Sequence, residues 1–181
     1  MIWNNKFKYP KSSRSIEDGL RKYLFNDTKL PSVTSILQAT KSEEDKAALE
    51  NWRQRVGYAE ANKIKTTASN RGTHLHSYIE DFLKGRINES FFESNEQYKN
   101  MAKEIIDKGI KGKLEEIYGI ETTLHYPEKY AGTADLVGVY QGKEVIIDFK
   151  QSNKPKKVDY IQDYFLQLGR LAPLIFRGAQ V

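Results

Sequence analysis

Between Ala131 and Lys150 the chain reads AGTADLVGVYQGKEVIIDFK, two apolar runs around Gln141-Gly142. A two-residue turn ending in glycine, between runs rich in apolar residues, predicts a β-hairpin. Successive side chains on a strand point to opposite faces. Ile146, Asp148 and Lys150 therefore share one face of the second strand, and Thr133, Asp135 and Val137 share one face of the first. Pairing through the turn places Asp135 opposite Asp148, with Lys150 two residues further along the same face.

Like charges opposite one another destabilise a sheet, and paired buried carboxylates share a proton or bind a cation. A divalent cation removes the conflict, and oxygen ligands suit Mg²⁺ or Mn²⁺. Glu121 lies in IETTLHY, the strand-like run before the hairpin, and brings a third carboxylate to the same place. Lys150 is placed to orient a water or to stabilise charge developing on a phosphate. The plainer alternative is an ordinary Asp148–Lys150 ion pair at a strand end, with Asp135 at an exposed edge.

A second cluster lies upstream. RGTHLHSYIE holds Gly72, His76 and Glu80 in the frame G-x-x-x-H-x-x-x-E. On a helix His76 and Glu80 fall on one face. Leu75 and Ile79 mark the core side, so His76 is a candidate nitrogen ligand to the same cation. His74 falls outside that frame and reads as solvent-facing.

The rest of the chain supplies the frame. It has 181 residues, 39% of them hydrophobic and 29% charged, which fits one domain with a real core. PSVTSILQAT opens a helix at Pro31-Ser32. SEEDKAALENWRQRVGYAEANK opens another, with Ser42 and Asp45 at capping-box spacing and Leu49, Trp52 and Val56 toward the core. TTASNRGTHLHSYIEDFLKG carries the stripe Leu75, Tyr78, Ile79 and Phe82 and stops at Gly85. SNEQYKNMAKEIIDKGIKGKLEEIYG reads as a helix from a Ser94–Gln97 cap to Gly119, and VDYIQDYFLQLG as the last one.

The expected fold class is α/β: a small mixed or antiparallel sheet flanked by helices, with a helical N-terminal half. The expected layout within residues 1–181 is an irregular N-terminal extension over 1–30, with one helix around Ser15–Phe25. A helical part (31–118), a catalytic sheet and helix (119–168) and an atypical tail (169–181) follow.

The chain has no cysteine, which excludes disulfides, thiolate zinc sites and a cysteine nucleophile. A formal charge of +5 is compatible with a polyanionic partner. No apolar run approaches the ~20 residues of a membrane span, and MIWNNKFKYPKSSRS lacks the apolar centre of a signal peptide. Secretion is not expected. Lys154, Lys156 and Lys157 follow the charged strand and are candidate contacts to a phosphate backbone. Arg53, Arg55 and Arg71 are candidates for a basic channel. Trp52 and Tyr58 can stack on bases, although their helical spacing favours the core.

Taken together, Glu121, GTAD with Asp135, and IIDFK with Asp148 and Lys150 resemble the P-D-(D/E)-x-K nuclease core. GTHLH with its later Glu, QSNKPKK after the lysine and FLQL in the last helix are similar to the RecB-like branch, which includes mitochondrial and phage exonucleases. The likeness runs from about Leu30 to Leu168. It implies a restriction-endonuclease-like core and a metal-dependent DNA exonuclease acting on DNA ends, with single strands preferred. It implies the cytoplasm of a phage-infected host or an organellar matrix as the compartment, without secretion. It implies Asp135, Asp148, Glu121 and His76 as ligands of Mg²⁺ or Mn²⁺, Lys150 as the group that positions the attacking water, and Gln167 as a residue that arranges the site and the DNA. A sequence-specific endonuclease on the same core, or a non-catalytic DNA-binding protein, stays open. The oligomeric state is not set by the sequence.

The pattern breaks after Leu168. Leu171 stands where that branch has an aromatic residue about four positions after the glutamine, and Pro173 is expected to interrupt the helix.

Overall fold

The computed structural model describes residues 1–92, 96–152, 158 and 161–178. In chain order the elements are β1 (Ile2–Trp3), β2 (Ser13–Glu17), β3 (Leu20–Phe25), β4 (Thr28–Pro31), α1 (Val33–Ala39), α2 (Glu43–Val56), α3 (Tyr58–Leu83), α4 (Gln97–Ile105), β5 (Leu114–Tyr126), β6 (Tyr130–Tyr140), β7 (Lys143–Ile147) and α5 (Gln162–Gly178). A 3₁₀ turn covers Glu89–Phe92 and a π-helical turn Ile106–Ile110. The chain divides into two compact units, Met1–Gln38 with Lys108–Val181, and Ala39–Asp107.

The first unit holds two sheets. The larger has the order β1-β5-β6-β7, with β1 parallel to β5 and the other neighbours antiparallel. The expected hairpin is present. Gln141 and Gly142 both take positive φ, 48° and 73°, as a tight two-residue hairpin turn needs. The turn is anchored by Gln141 N–H to the Lys113 carbonyl and Gly142 N–H to Glu115 Oε1, each 2.9 Å.

The smaller sheet, β2-β3-β4, corrects the reading of residues 1–30 as irregular with a helix around Ser15–Phe25. Asp18-Gly19 and Asn26-Asp27 form two further positive-φ turns, which fold Ser13–Pro31 into an antiparallel meander. Asp-Gly is a hairpin signal in the sequence, and Asn and Asp both tolerate the positive φ of the second turn. No buried helical face exists here: Ile16 is 73% exposed and Leu20 is also exposed.

Helix α1 starts where expected. Ser35 N–H donates to Ser32 Oγ at 3.0 Å, so Ser32 caps it. Val33 of α1, Leu171 and Ile175 of α5, and Tyr118, Leu124, Ala134 and Val137 of the sheet form one buried cluster. Tyr23, Phe25, Leu30 and Ala131 form a second, which joins the meander to β6. Tyr23 Oη lies 3.0 Å from Thr133 Oγ1 across the same junction.

Two further expectations change here. The helix predicted up to Gly119 ends at Ile105, and LEEIYGI is part of β5. Gly119 is a point of close approach and not a helix stop: a Cβ there would sit 2.5 Å from Thr122 Cγ2 and 2.9 Å from the Tyr9 ring. The tail also differs. α5 runs through Pro173 to Gly178, and Leu171 and Ile175 are 1% exposed. Proline removes the amide that would bond the Gly169 carbonyl. The Arg170 carbonyl next to it accepts from Tyr130 Oη at 3.3 Å. Burial of the two apolar side chains offsets the missing helical bond.

In the second unit Ser42 caps α2 through Asp45 N–H, 3.1 Å, as expected. Gly57, at φ 85°, separates α2 from α3. α2 contains no buried residue: Leu49 is exposed, and Trp52 and Val56 are half-buried. Tyr58 is 56% exposed, so neither Leu49 nor Tyr58 has the core place that helical spacing suggested. α3 buries Ala61, Leu75, Ile79 and Leu83 and ends before Gly85. Ser94, proposed as a cap, lies outside the described residues, and Glu96 occupies the cap position of α4. Among the described residues no helix is long and apolar enough to cross a membrane.

Candidate active site

β6 runs through the middle of the larger sheet and carries Asp135, which is 9% exposed. The β5–β6 ladder pairs Ile120 with Leu136 and Thr122 with Ala134, so Glu121 falls across from Asp135. Carboxylate oxygens of Glu121 and Asp135 lie within 4.8 Å of one another. Glu121 takes φ 51° inside a strand. A non-glycine residue held there costs roughly 1–3 kcal/mol, and such strain clusters at functional sites.

On the other side of β6, the pairs Leu136–Ile147 and Val137–Ile146 keep the expected register. β7 ends at Ile147, just before the charged pair. Instead of continuing the ladder, Phe149 N–H donates to Asp135 Oδ2 at 2.7 Å. Asp148 and Lys150 come together as the alternation required: Lys150 Nζ lies 2.5 Å from Asp148 Oδ2. The Asp148 side chain is 5% exposed and that of Lys150 is 36% exposed. The opposite charge offsets the cost of burying the carboxylate.

α5 completes this side. Gln167 Nε2 donates to Asp148 Oδ1 at 3.4 Å. The Lys150 ammonium also sits 5.6 Å from the centre of the Tyr164 ring. Gly132 on β6 faces α5. A Cβ there would lie 2.8 Å from Leu171 Cδ2, so a larger residue would require the Leu171 side chain to shift. Tyr164 was missed in the sequence, although its i, i+3 spacing to Gln167 put both on one helical face.

In the second unit His76 is half-buried on α3, beside the buried Leu75 and Ile79. Glu80, one turn on, pairs with Lys84 at 2.5 Å and with Arg86 at 4.0 Å. His74 is exposed, as expected, and its ring stacks on Tyr98 at 5.5 Å between centroids. Arg71 is half-buried. Arg53 pairs with Glu50 at 3.7 Å. Lys154, Lys156 and Lys157 lie outside the described residues.

The donor set tests whether a divalent cation fits. Glu121 and Asp135 offer closely spaced oxygens on neighbouring strands, and the chain has no thiolate to favour a softer ion. The residues present fit a hard, oxygen-binding cation.

A mixed α/β sheet of this order, with carboxylates on its middle strands and an Asp–x–Lys at the end of the next, is consistent with the restriction-endonuclease-like fold. No protein-family model matches the chain. Among curated proteins it is similar to mitochondrial genome maintenance exonuclease 1 of Xenopus tropicalis, 32% identical over 159 residues, 80% of this chain and 42% of the relative. The Homo sapiens protein of that name is 30% identical over 144 residues, 75% of this chain and 40% of the relative. The Mus musculus protein is 32% identical over 138 residues, 70% and 38%. The chain thus spans about two fifths of the length of the curated relatives it matches. The similarity supports an exonuclease family for this chain.

Proposed function

We propose that the chain carries a P-D-(D/E)-x-K-type site and acts as a Mg²⁺- or Mn²⁺-dependent deoxyribonuclease. In this reading it hydrolyses phosphodiester bonds from DNA ends and prefers single strands. A role in phage-type replication or recombination is part of the same proposal. The observation that carries the reading is one arrangement: Glu121 and Asp135 within 4.8 Å on adjacent strands, and Asp148 against Lys150 at the end of the third.

Each residue has a role in this scheme. Glu121, Asp135 and Asp148 hold the cation through oxygen. His76 is the proposed nitrogen ligand, on the strength of its sequence frame with Gly72 and Glu80. The bound cation supplies a nucleophile near neutral pH and counter-charge for the reacting phosphate. Lys150 donates protons from a fixed point, held by Asp148, and orients the attacking water. Gln167 fixes the second oxygen of Asp148, so the carboxylate keeps one orientation. Lys154, Lys156, Lys157 and Arg71 are proposed to contact phosphates, a contribution that weakens with salt.

The test is an end-labelled oligonucleotide assay with Mg²⁺, Mn²⁺ or EDTA. It compares linear single strand, duplex, closed circular single strand and the Lys150→Ala protein. Metal-dependent loss of the linear strand, a spared circle and a silent variant are expected. Cleavage of the circle, or an active Lys150→Ala protein, would overturn the reading.

A further inference from the structure

The inward face of α5 is a stripe of Tyr164, Gln167, Leu171 and Ile175, half-buried at its first two positions and buried at its last two. Leu171 and Ile175 seat the helix in the core, and Gln167 reaches Asp148. Tyr164 lies one turn before Gln167, and its ring centre is 5.6 Å from the Lys150 ammonium. A cation within about 6 Å of an aromatic face is attracted by the ring's negative quadrupole. Lys150 is thus held twice, by Asp148 at 2.5 Å and by this ring. One contact alone leaves a four-carbon chain free to swing about Asp148. A second, from another element, restricts its ammonium to a small volume.

We propose that Tyr164 is a positioning residue for Lys150, its ring fixing the ammonium beside Asp148 from the first turns of α5. This rests on the nuclease reading above for its catalytic consequence, but the contact itself does not. The ring carries this contact, and Tyr164→Phe keeps it. Beyond Gln167 the stripe is aliphatic, so the aromatic contact to the site comes from the N-terminal side of that residue.

Two measurements test it. The first needs neither metal nor substrate. In metal-free protein the Lys150 Hε protons carry an upfield ring-current shift, seen in ¹H–¹³C spectra assigned through Lys150→Arg. The shift is expected to persist in Tyr164→Phe and to vanish in Tyr164→Leu and in Tyr164→Met, which keeps a long side chain without a ring. An unchanged Lys150 signal in a folded Leu or Met variant would overturn the proposal.

The second measurement is steady-state cleavage of linear single-stranded DNA. Tyr164→Leu and Tyr164→Met are expected to lower kcat about tenfold with KM within twofold, and Tyr164→Phe to stay within twofold of the parent. A defect confined to KM, or one equal in the Phe variant, would also overturn it. Absence of metal-dependent cleavage in the parent protein would sink the nuclease reading alone. The spectra would still decide whether Tyr164 holds Lys150.

Discussion

The backbone amide of Phe149 donates to Asp135 Oδ2 at 2.7 Å, so a carboxylate on the middle strand ends the hairpin ladder in place of a main-chain carbonyl. The regular β6–β7 pairing stops at Ile147, and Asp148 and Lys150 follow it. Asp135 therefore has a structural task as well as its proposed ligand role. Asp135→Asn keeps an acceptor for the amide, whereas Asp135→Ala removes it. We expect Asp135→Ala to lose about 2 kcal/mol in urea unfolding, the scale of a hydrogen bond to a charged group. Asp135→Asn should lose less, and both should lose cleavage. Equal stability of the two variants would separate the amide bond from the fold.

Glu121 gives the opposite sign. Its φ of 51° is strained for any residue with a Cβ. Glu121→Gly relieves that strain and is expected to raise metal-free stability by about 1 kcal/mol while abolishing metal-dependent cleavage. A thermal melt and a cleavage assay on the same preparation check both halves.

Cation binding itself should be visible as stabilisation. An ion that binds only the folded chain adds about 2.7 kcal/mol at one hundred times its dissociation constant. Mg²⁺ or Mn²⁺ is expected to raise Tm in the parent protein, and EDTA to reverse it. The effect should shrink in Glu121→Gln and Asp135→Asn. A parent Tm indifferent to both ions would remove the cation from the account.

Gly132 and Leu171 form a steric pair. Gly132→Ala places a methyl 2.8 Å from Leu171 Cδ2 and should push α5 outward. Leu171→Ala leaves a cavity, at a cost of about 2–5 kcal/mol. In the double variant the new methyl occupies part of that cavity, so the two losses should sum to more than the double variant shows. Simple additivity in urea unfolding would mean that the helix does not rest on this contact.

Glu17, at the end of β2, provides a pH test on residues outside the candidate site. Hydrogen bonds from Lys29 and then Lys22 hold its carboxyl down to about 2 from an ordinary 4.5. A lowered folded value stabilises the protein above the unfolded value, and the gain is lost as pH falls toward 2. Glu17→Gln should therefore melt below the parent at pH 6 and level with it at pH 2. A gap that persists at pH 2 would assign the effect to packing.

Much of this protein was legible in the residues alone. The Gln141-Gly142 turn and the two-residue alternation of VIIDFK fixed the hairpin register and the meeting of Asp148 with Lys150, because turn geometry and strand period are local properties. Ser32 and Ser42 as helix caps were legible for the same reason. Tertiary structure decided what depends on distant partners. Ser13–Pro31 became a meander because two positive-φ turns brought its three strands into antiparallel pairing. LEEIYGI joined the sheet because β6 was there to receive it. Pro173 stayed inside α5 because the buried Leu171 and Ile175 hold the helix on both sides of it. Tyr164 met Lys150 because the buried Leu171 and Ile175 seat α5 on the sheet beside the end of β7. Local rules select an element's type and its faces, but a close approach between elements is set by the volume that both leave empty.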